Sequence, residues 1–169
     1  MRQENKFILD PTCGGRTIWF NKKQPNTIYM DIREGTETIN HEVTEGRRNF
    51  IISPDIKGDF RNLPFEDKQF KLVVWDPPHL KGLRDTSFWA KKYGSLHNET
   101  WRADLGQGFK ECLRVLDHYG ILIFKWSEND IKLKDILNCF NQNPLFGHTT
   151  GSKSKTHWMC FMKIPDQYP

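Results

Sequence analysis

An open α/β fold, with a mostly parallel sheet and helices on both faces, is the class the sequence predicts. Three observations predict it. Short apolar runs rich in β-branched and aromatic residues alternate with segments of helical periodicity. The last two runs are separated by Gly151-Ser152-Lys153-Ser154-Lys155, a polar turn that suits a hairpin and makes at least one of them antiparallel to its neighbours. Finally, 169 residues are enough for one complete domain with its own core and too few for two ordinary ones. Residues 1–169 therefore read as a single domain that carries its whole site.

Taken in order, the strands fall at 7–10, 27–31, 49–53, 72–75 and 121–126, with a closing pair at 145–150 and 157–163. The first ends in a loop containing Gly14-Gly15, which predicts a tight turn before a helix begins. Between Gly35 and Arg48 the periodicity is weak and predicts only a short helix. The clearest helix is 101–116, where Trp101, Leu105, Phe109, Cys112, Leu113 and Leu116 form one apolar stripe. A second, at 129–141, places Leu133, Ile136, Leu137 and Phe140 on one face before Pro144 blocks continuation.

Composition narrows the function classes. No apolar run approaches the roughly 20 residues needed to cross a bilayer. The start, Met1-Arg2-Gln3-Glu4-Asn5-Lys6, has no stretch of signal-peptide character, so the expected location is cytoplasmic. Cys13, Cys112, Cys139 and Cys160 form no CxxC pair and no histidine approaches them at zinc-ligand spacing, so neither a metal site nor a disulfide framework is expected. The net charge of +4 favours a polyanionic partner without identifying one.

In open α/β sheets ligands bind at the carboxyl ends of the strands. There the sequence places Asp10-Pro11-Thr12-Cys13-Gly14-Gly15 after the first strand and Asp31-Ile32 after the second. An acid at Asp31 can accept hydrogen bonds from both hydroxyls of a ribose. A dinucleotide would also need the GxGxxG fingerprint for its pyrophosphate, and only Gly14-Gly15 is present. An adenosine without phosphates fits better, and S-adenosylmethionine is such a ligand. Asp59 and Phe60 lie in the next loop, where the acid can receive an adenine amino group while the ring covers the base.

The fourth strand runs directly into Asp76-Pro77-Pro78-His79. Two prolines fix φ and remove two backbone donors, leaving a rigid turn rich in acceptors. An exocyclic base amine is a poor nucleophile because its lone pair is delocalised into the ring. If the Asp76 carboxylate and the Pro77 carbonyl each accept one N–H, the nitrogen can pyramidalise and aim that lone pair at an electrophilic methyl. His79 stands where a planar side chain could stack on the base.

These residues make the chain resemble the class I S-adenosylmethionine-dependent methyltransferases, and among them the DNA and RNA amino-methyltransferases that carry a D/N-P-P-aromatic motif. The likeness spans nearly the whole chain. The stretches Asp10 to Phe20, Met30-Asp31-Ile32-Arg33 and Gly58 through Leu80 look most like the compact phage and prophage members. The resemblance implies a Rossmann-like, seven-stranded sheet whose final strand is antiparallel. It implies that Asp10 to Gly15 surround the methionine part of the cofactor, Asp31 and Ile32 meet the ribose, Asp59 and Phe60 the adenine, and Asp76 to His79 the target amine, with S-adenosylhomocysteine as product. Two positions depart from the pattern: Arg16 stands where many relatives have a third glycine, and His79 replaces the usual Tyr, Phe or Trp.

Sequence-specific DNA methyltransferases usually carry a separate target-recognition domain, and no comparable block exists here. The candidate substrate lid is 81–108, where Lys81, Arg84, Lys91, Lys92 and Arg102 are interleaved with Phe88, Trp89, Tyr93 and Trp101. Cations can meet phosphates while aromatics stack on bases, so Lys81, Arg84, Trp89, Lys91, Lys92 and Tyr93 are the candidate nucleic-acid contacts, and Arg47-Arg48 could extend the basic rim. The expected reaction is methylation of an exocyclic amine, first of adenine in DNA. RNA adenine, DNA cytosine and a non-catalytic S-adenosylmethionine-binding module are the alternatives. A homodimer is one arrangement by which so small a chain could span a duplex.

Overall fold

The computed structural model describes residues 6–40, 47–149 and 155–165. Strands β1 (Ile8–Asp10), β2 (Thr27–Asp31), β5 (Ile56–Lys57), β6 (Phe70–Trp75), β7 (Leu116–Ser127), β8 (Phe146–Thr149) and β9 (Thr156–Met162) form one seven-stranded sheet in the order β5-β2-β1-β6-β7-β9-β8. Pairing is parallel from β5 through β7, and β9 runs antiparallel to both β7 and β8. The mostly parallel sheet with an antiparallel closing pair is therefore as expected. Of the polar turn expected at 151–155 only Lys155 is described; residues 151–154, Thr150 and residues 1–5 lie outside the described residues.

Two strand expectations change. Residues 49–53 do not join the main sheet; β3 (Gly35–Asn40) and β4 (Arg47–Ile52) make a separate antiparallel hairpin, registered from Gly35 against Ile52 to Asn40 against Arg47. The short helix expected within 35–48 is replaced by those strands, since Thr36, Thr38 and Ile39 favour extended backbone. The tip of the hairpin and the side chains of Arg47 and Arg48 lie outside what is described. The edge strand of the main sheet is the two-residue β5, docked because Asp55 accepts from the Tyr29 N–H (3.0 Å) and Gly58 N–H donates to the Asp31 carbonyl (3.0 Å).

Helix α1 (Phe88–Tyr93) was not expected; the Ser87 hydroxyl accepts from Ala90 N–H at its start, and Gly94, at φ 80°, ends it. Helix α2 (Trp101–Val115) buries Trp101, Leu105, Phe109, Cys112 and Leu113 as the apolar stripe requires, and Leu116 opens β7 instead of closing the helix. Helix α3 (Leu133–Leu137) is shorter than 129–141 because Asn129-Asp130 turn and the Glu128 carboxylate accepts the Leu133 N–H (2.7 Å) at the helix start. The helix expected after Gly14-Gly15 is absent: the chain from Pro11 to Asn26 is a succession of turns, with Arg16 at φ 55°.

Helix coverage is uneven. One sheet face, with Leu9, Val73, Trp75, Leu122, Phe124 and Phe161, is buried with Leu105 and Phe109 of α2, Ile136 of α3 and Phe140 in one core. Phe109 and Phe140 stack at 4.2 Å between ring centroids. On the alternate positions Ile8, Leu72, Val74, Ile121 and Ile123 are only half-buried. Near the first strands that side is covered by the turn segment, where Trp19 meets Tyr29 edge-on at 5.2 Å. Among the described residues no helix is long and apolar enough to cross a membrane.

Candidate active site

Because β1, β2, β5 and β6 are parallel, their carboxyl ends bring Asp10, Asp31, Asp59 and Asp76 to one rim of the sheet. A cavity of about 560 Å³ opens there, within the usual range for small-molecule sites. Pro11, Thr12, Asp31, Ile32, Asp59, Phe60, Asp76 and Pro78 line its floor, and the chain from Gly82 to Asn98 forms its roof.

Asp31 is buried, 2% exposed. Gly14, at φ 47°, donates its N–H to Oδ2 (2.8 Å), and Arg33 N–H donates to Oδ1 (2.9 Å). The Arg33 guanidinium adds Nε to Oδ1 (2.9 Å) and Nη2 to Oδ2 (3.0 Å), while its Nη1 donates to the Lys91 carbonyl on α1 (3.2 Å). Asp59 repeats the arrangement two residues before Arg61: Arg61 N–H and Nε reach Oδ1 (2.9 and 3.0 Å), Nη2 reaches Oδ2, and Nη1 donates to the Asp104 carboxylate on α2 (3.0 Å). The Arg61 bonds hold the Asp59 carboxyl below its ordinary value despite partial burial. Phe60 lies between these residues against Trp75 (5.6 Å). Gly108 of α2 must lack a side chain here, because a Cβ would sit 2.5 Å from the Phe60 ring.

Asp76 is held differently. Its N–H donates to the Thr12 hydroxyl (3.2 Å), Oδ1 pairs with His79 Nε2 (2.9 Å) and Oδ2 with Lys125 Nζ (2.7 Å). Burial is the largest single influence and pushes the carboxyl up, but His79 and Lys125 together outweigh it, leaving it below the ordinary value. Asp10 has no such cation among the described residues. It is 1% exposed, bonded by Trp19 Nε1 (2.7 Å) and Thr12 N–H (3.2 Å). Burial, assisted by Asp76 and Asp31, pushes its carboxyl up to about 7 against these bonds. Burial likewise pushes the Cys13 thiol up to about 12.

The expected site residues thus separate into groups. Asp10, Cys13, Gly14 and Gly15 support the floor from beneath and do not line the cavity. Pro77 is buried, and the His79 ring is turned onto Asp76 and the edge of Trp126 (4.9 Å), away from the cavity wall. Lys91 and Tyr93 line the roof, whereas Lys81, Arg84, Trp89 and Lys92 lie outside it. Trp89 (52% exposed) and Tyr93 (43%) stack at 5.7 Å, and the Lys92 ammonium lies 5.0 Å from the Tyr93 ring, forming an exposed aromatic platform beside the cavity.

Sequence reasoning missed Arg33, Arg61, Asp104 and Lys125. The signals available were the repeated Asp-x-Arg spacing and a lysine interrupting the apolar run Ile121–Trp126 of β7; neither tells which distant group the cation will meet.

No described protein family and no curated protein matches the sequence. Among solved structures, the chain is similar to a protein from Pyrococcus horikoshii OT3 (15% identity, TM-score 0.57, covering 95% of this chain and 83% of that one). It is also similar to a SAM-dependent methyltransferase from Methanosarcina mazei (13% identity, TM-score 0.57, covering 96% and 94%). A third likeness is to an rRNA methylase from Streptococcus thermophilus (10% identity, TM-score 0.53, covering 95% and 89%). At these identities the likeness establishes a shared Rossmann-like α/β fold. What the chain does must be argued from its own site.

Proposed function

We propose that the protein is an S-adenosylmethionine-dependent methyltransferase that modifies an exocyclic amino nitrogen of a nucleic-acid base, adenine in DNA first. The observation that carries this reading is that Asp76, held by Lys125 and His79 in its ionised form, shares one cavity with Asp31 and Asp59 at the carboxyl ends of β6, β2 and β5. Two of the structural neighbours are methyltransferases by name, which supports the same reading.

The cavity's charge suits that cofactor. Six carboxylates (Asp31, Glu34, Asp59, Asp76, Asp85, Asp104) face three cations (Arg33, Arg61, Lys91), an excess of negative charge that favours a sulfonium and disfavours a pyrophosphate. Asp31 would take the ribose, Asp59 and Phe60 the adenine, and Pro11 and Thr12 the methionine side. Bound there, S-adenosylmethionine supplies a methyl group on a positively charged sulfur.

The chain's own residues do the rest by placement. With His79 on one Asp76 oxygen and Lys125 on the other, each oxygen retains a further acceptor position. An amine N–H donated to Asp76 and a second to the Pro77 carbonyl would localise the nitrogen lone pair. The proton shed by the methylated amine can pass to the Asp76 carboxylate, which its contacts with Lys125 and His79 keep ionised until that moment. The Trp89–Tyr93 platform would stack on a flipped or single-stranded base as it approaches, with Lys92 near the phosphates. RNA is the second acceptor class, since stacking of this kind does not distinguish the sugars and one structural neighbour is an rRNA methylase.

The test is incubation with methyl-labelled cofactor and a panel of DNA and RNA oligonucleotides, comparing wild type with Asp76→Ala and Asp76→Asn. Label on adenine amine in DNA, lost in both variants, is the expected result. Equal labelling by all three proteins, or none of any nucleic acid by wild type, overturns the assignment.

A further inference from the structure

Asp31 is the acid the proposed cofactor most needs, and its acceptor capacity is already full. A carboxylate offers about four lone-pair positions. Gly14 N–H, Arg33 N–H, Arg33 Nε and Arg33 Nη2 occupy them at 2.8–3.0 Å. A ribose cannot donate two hydroxyls to Asp31 unless two of these donors leave. The two backbone N–H groups are held by the turn itself, so the pair that can leave is the guanidinium fork.

The fork cannot leave alone. The guanidinium is planar and rigid, so withdrawing Nε and Nη2 from Asp31 also moves Nη1. Nη1 is the group that holds the Lys91 carbonyl of α1 at 3.2 Å. The guanidinium carbon also lies 3.8 Å from where a Cβ on Gly94 would be, directly beneath the end of that helix. Helix α1 is short, carries Lys91 and Tyr93 into the cavity roof, and is closed by one cap bond from Gly94 N–H to the Ala90 carbonyl. A neutral carbonyl contact of this length is among the weaker restraints on the roof.

We propose that Arg33 is a positioning residue that makes ribose occupation of Asp31 and anchoring of α1 mutually exclusive, so that cofactor binding frees the roof for the acceptor base. The inference rests on the methyltransferase reading of this cavity and specifies its order of events: cofactor first, nucleic acid second. Because coupling between sites is reciprocal, whatever frees α1 also favours the cofactor.

The experiment measures binding and hydrogen exchange, with S-adenosylhomocysteine as the probe. Calorimetry establishes that wild type binds it; amide exchange is then followed at Lys91 and Gly94 with and without the probe. In wild type, exchange at these amides rises by at least about 5-fold on binding, the lower end of typical coupling between sites. In Arg33→Ala, exchange is fast without the probe and unchanged by it, and the probe binds as tightly as in wild type or tighter. Arg33→Lys keeps a positive charge beside Asp31 but cannot bridge to Lys91, so it separates a folding defect from lost coupling: it should melt close to wild type and still show no probe-dependent exchange. Probe binding to wild type without any change at Lys91 and Gly94 overturns the proposal alone. So does probe-dependent exchange in either variant, or weakened probe binding in a normally melting Arg33→Lys. Failure of wild type to bind the probe overturns the methyltransferase reading itself, and this inference with it.

Discussion

The turns Asp31-Ile32-Arg33 and Asp59-Phe60-Arg61 follow neighbouring strands and build the same fork, yet they leave their acids in different states. Asp31 is 2% exposed and receives a fourth donor from Gly14. Asp59 is 29% exposed, and among the described residues all its donors come from Arg61, whose Nε is shared between Oδ1 and Oδ2, so an amino group needs only that shared bond to narrow to one oxygen. The outer arms differ as well. Arg33 ends on a neutral carbonyl of α1, whereas Arg61 ends on the Asp104 carboxylate in the first turn of α2, a helix rooted in the core. Identical local chemistry therefore makes a releasable tie in one place and a lasting one in the other, according to what the fold brings to the free nitrogen.

Removing the acids should separate the two turns most strongly. If Asp31 takes the ribose as proposed, Asp31→Ala removes both hydroxyl acceptors, and S-adenosylhomocysteine affinity, read by calorimetry, should fall on the order of 100-fold, since hydrogen bonds to a charged group contribute about 1.5–3 kcal/mol each. Asp59→Ala removes one amino contact and should cost only about 10-fold on the same basis. Equal losses would erase the distinction.

Removing the arginines reverses the question from ligand to fold. Arg33→Ala leaves the buried Asp31 without its countercharge and should lower unfolding free energy by about 2 kcal/mol without ligand. Arg61→Ala, where both partners are more exposed, should cost about 1 kcal/mol. Urea denaturation with and without S-adenosylhomocysteine sharpens the contrast: ligand should recover most of the first loss and less of the second.

The other two strand-end acids extend the series. Asp76 has no fork, and if it takes the proton as proposed, Lys125→Met should move the acidic limb of the methylation rate profile upward, because the lost ammonium no longer lowers its carboxyl. An unmoved limb would leave His79 as the only group that matters.

Among the described residues no cation pairs with Asp10, and its carboxyl is raised from 3.8 to about 7 in the fold. An acid raised by burial favours the native state at low pH and forfeits that contribution as pH climbs between the unfolded and folded values. Melting temperature of wild type should therefore decline from pH 5 to pH 8 relative to Asp10→Asn, which has nothing to ionise there. Parallel melting curves across that range would show that Asp10 is ionised in the fold already.

Much of this arrangement could be read from the chain. The α2 stripe and the β6 run into Asp76 are strong because each has a local cause: helical spacing of large apolar residues, and a β-branched run stopped by two prolines. The failures have causes of the same scale. Strand β5 has two residues and β3 has no apolar alternation, so neither shows a period. Helix α1 has six residues and is defined by Ser87 and Gly94, a cap signature hidden among the lid's charged and aromatic side chains. His79, expected to face a base, instead bonds Asp76, because a half-buried carboxylate beside it is the stronger partner.

The sequence alone determined that acids would stand together at the carboxyl ends of parallel strands, since strand propensity is local and right-handed connections leave few ways to order the strands. It also determined the two forks, whose acid and arginine are two residues apart. Only the tertiary structure decided what each acid could still accept. Lys125 meets Asp76 across 49 positions and Arg33 meets the Lys91 carbonyl across 58, and groups so far apart in the chain find each other only after the sheet has placed them within a few ångströms.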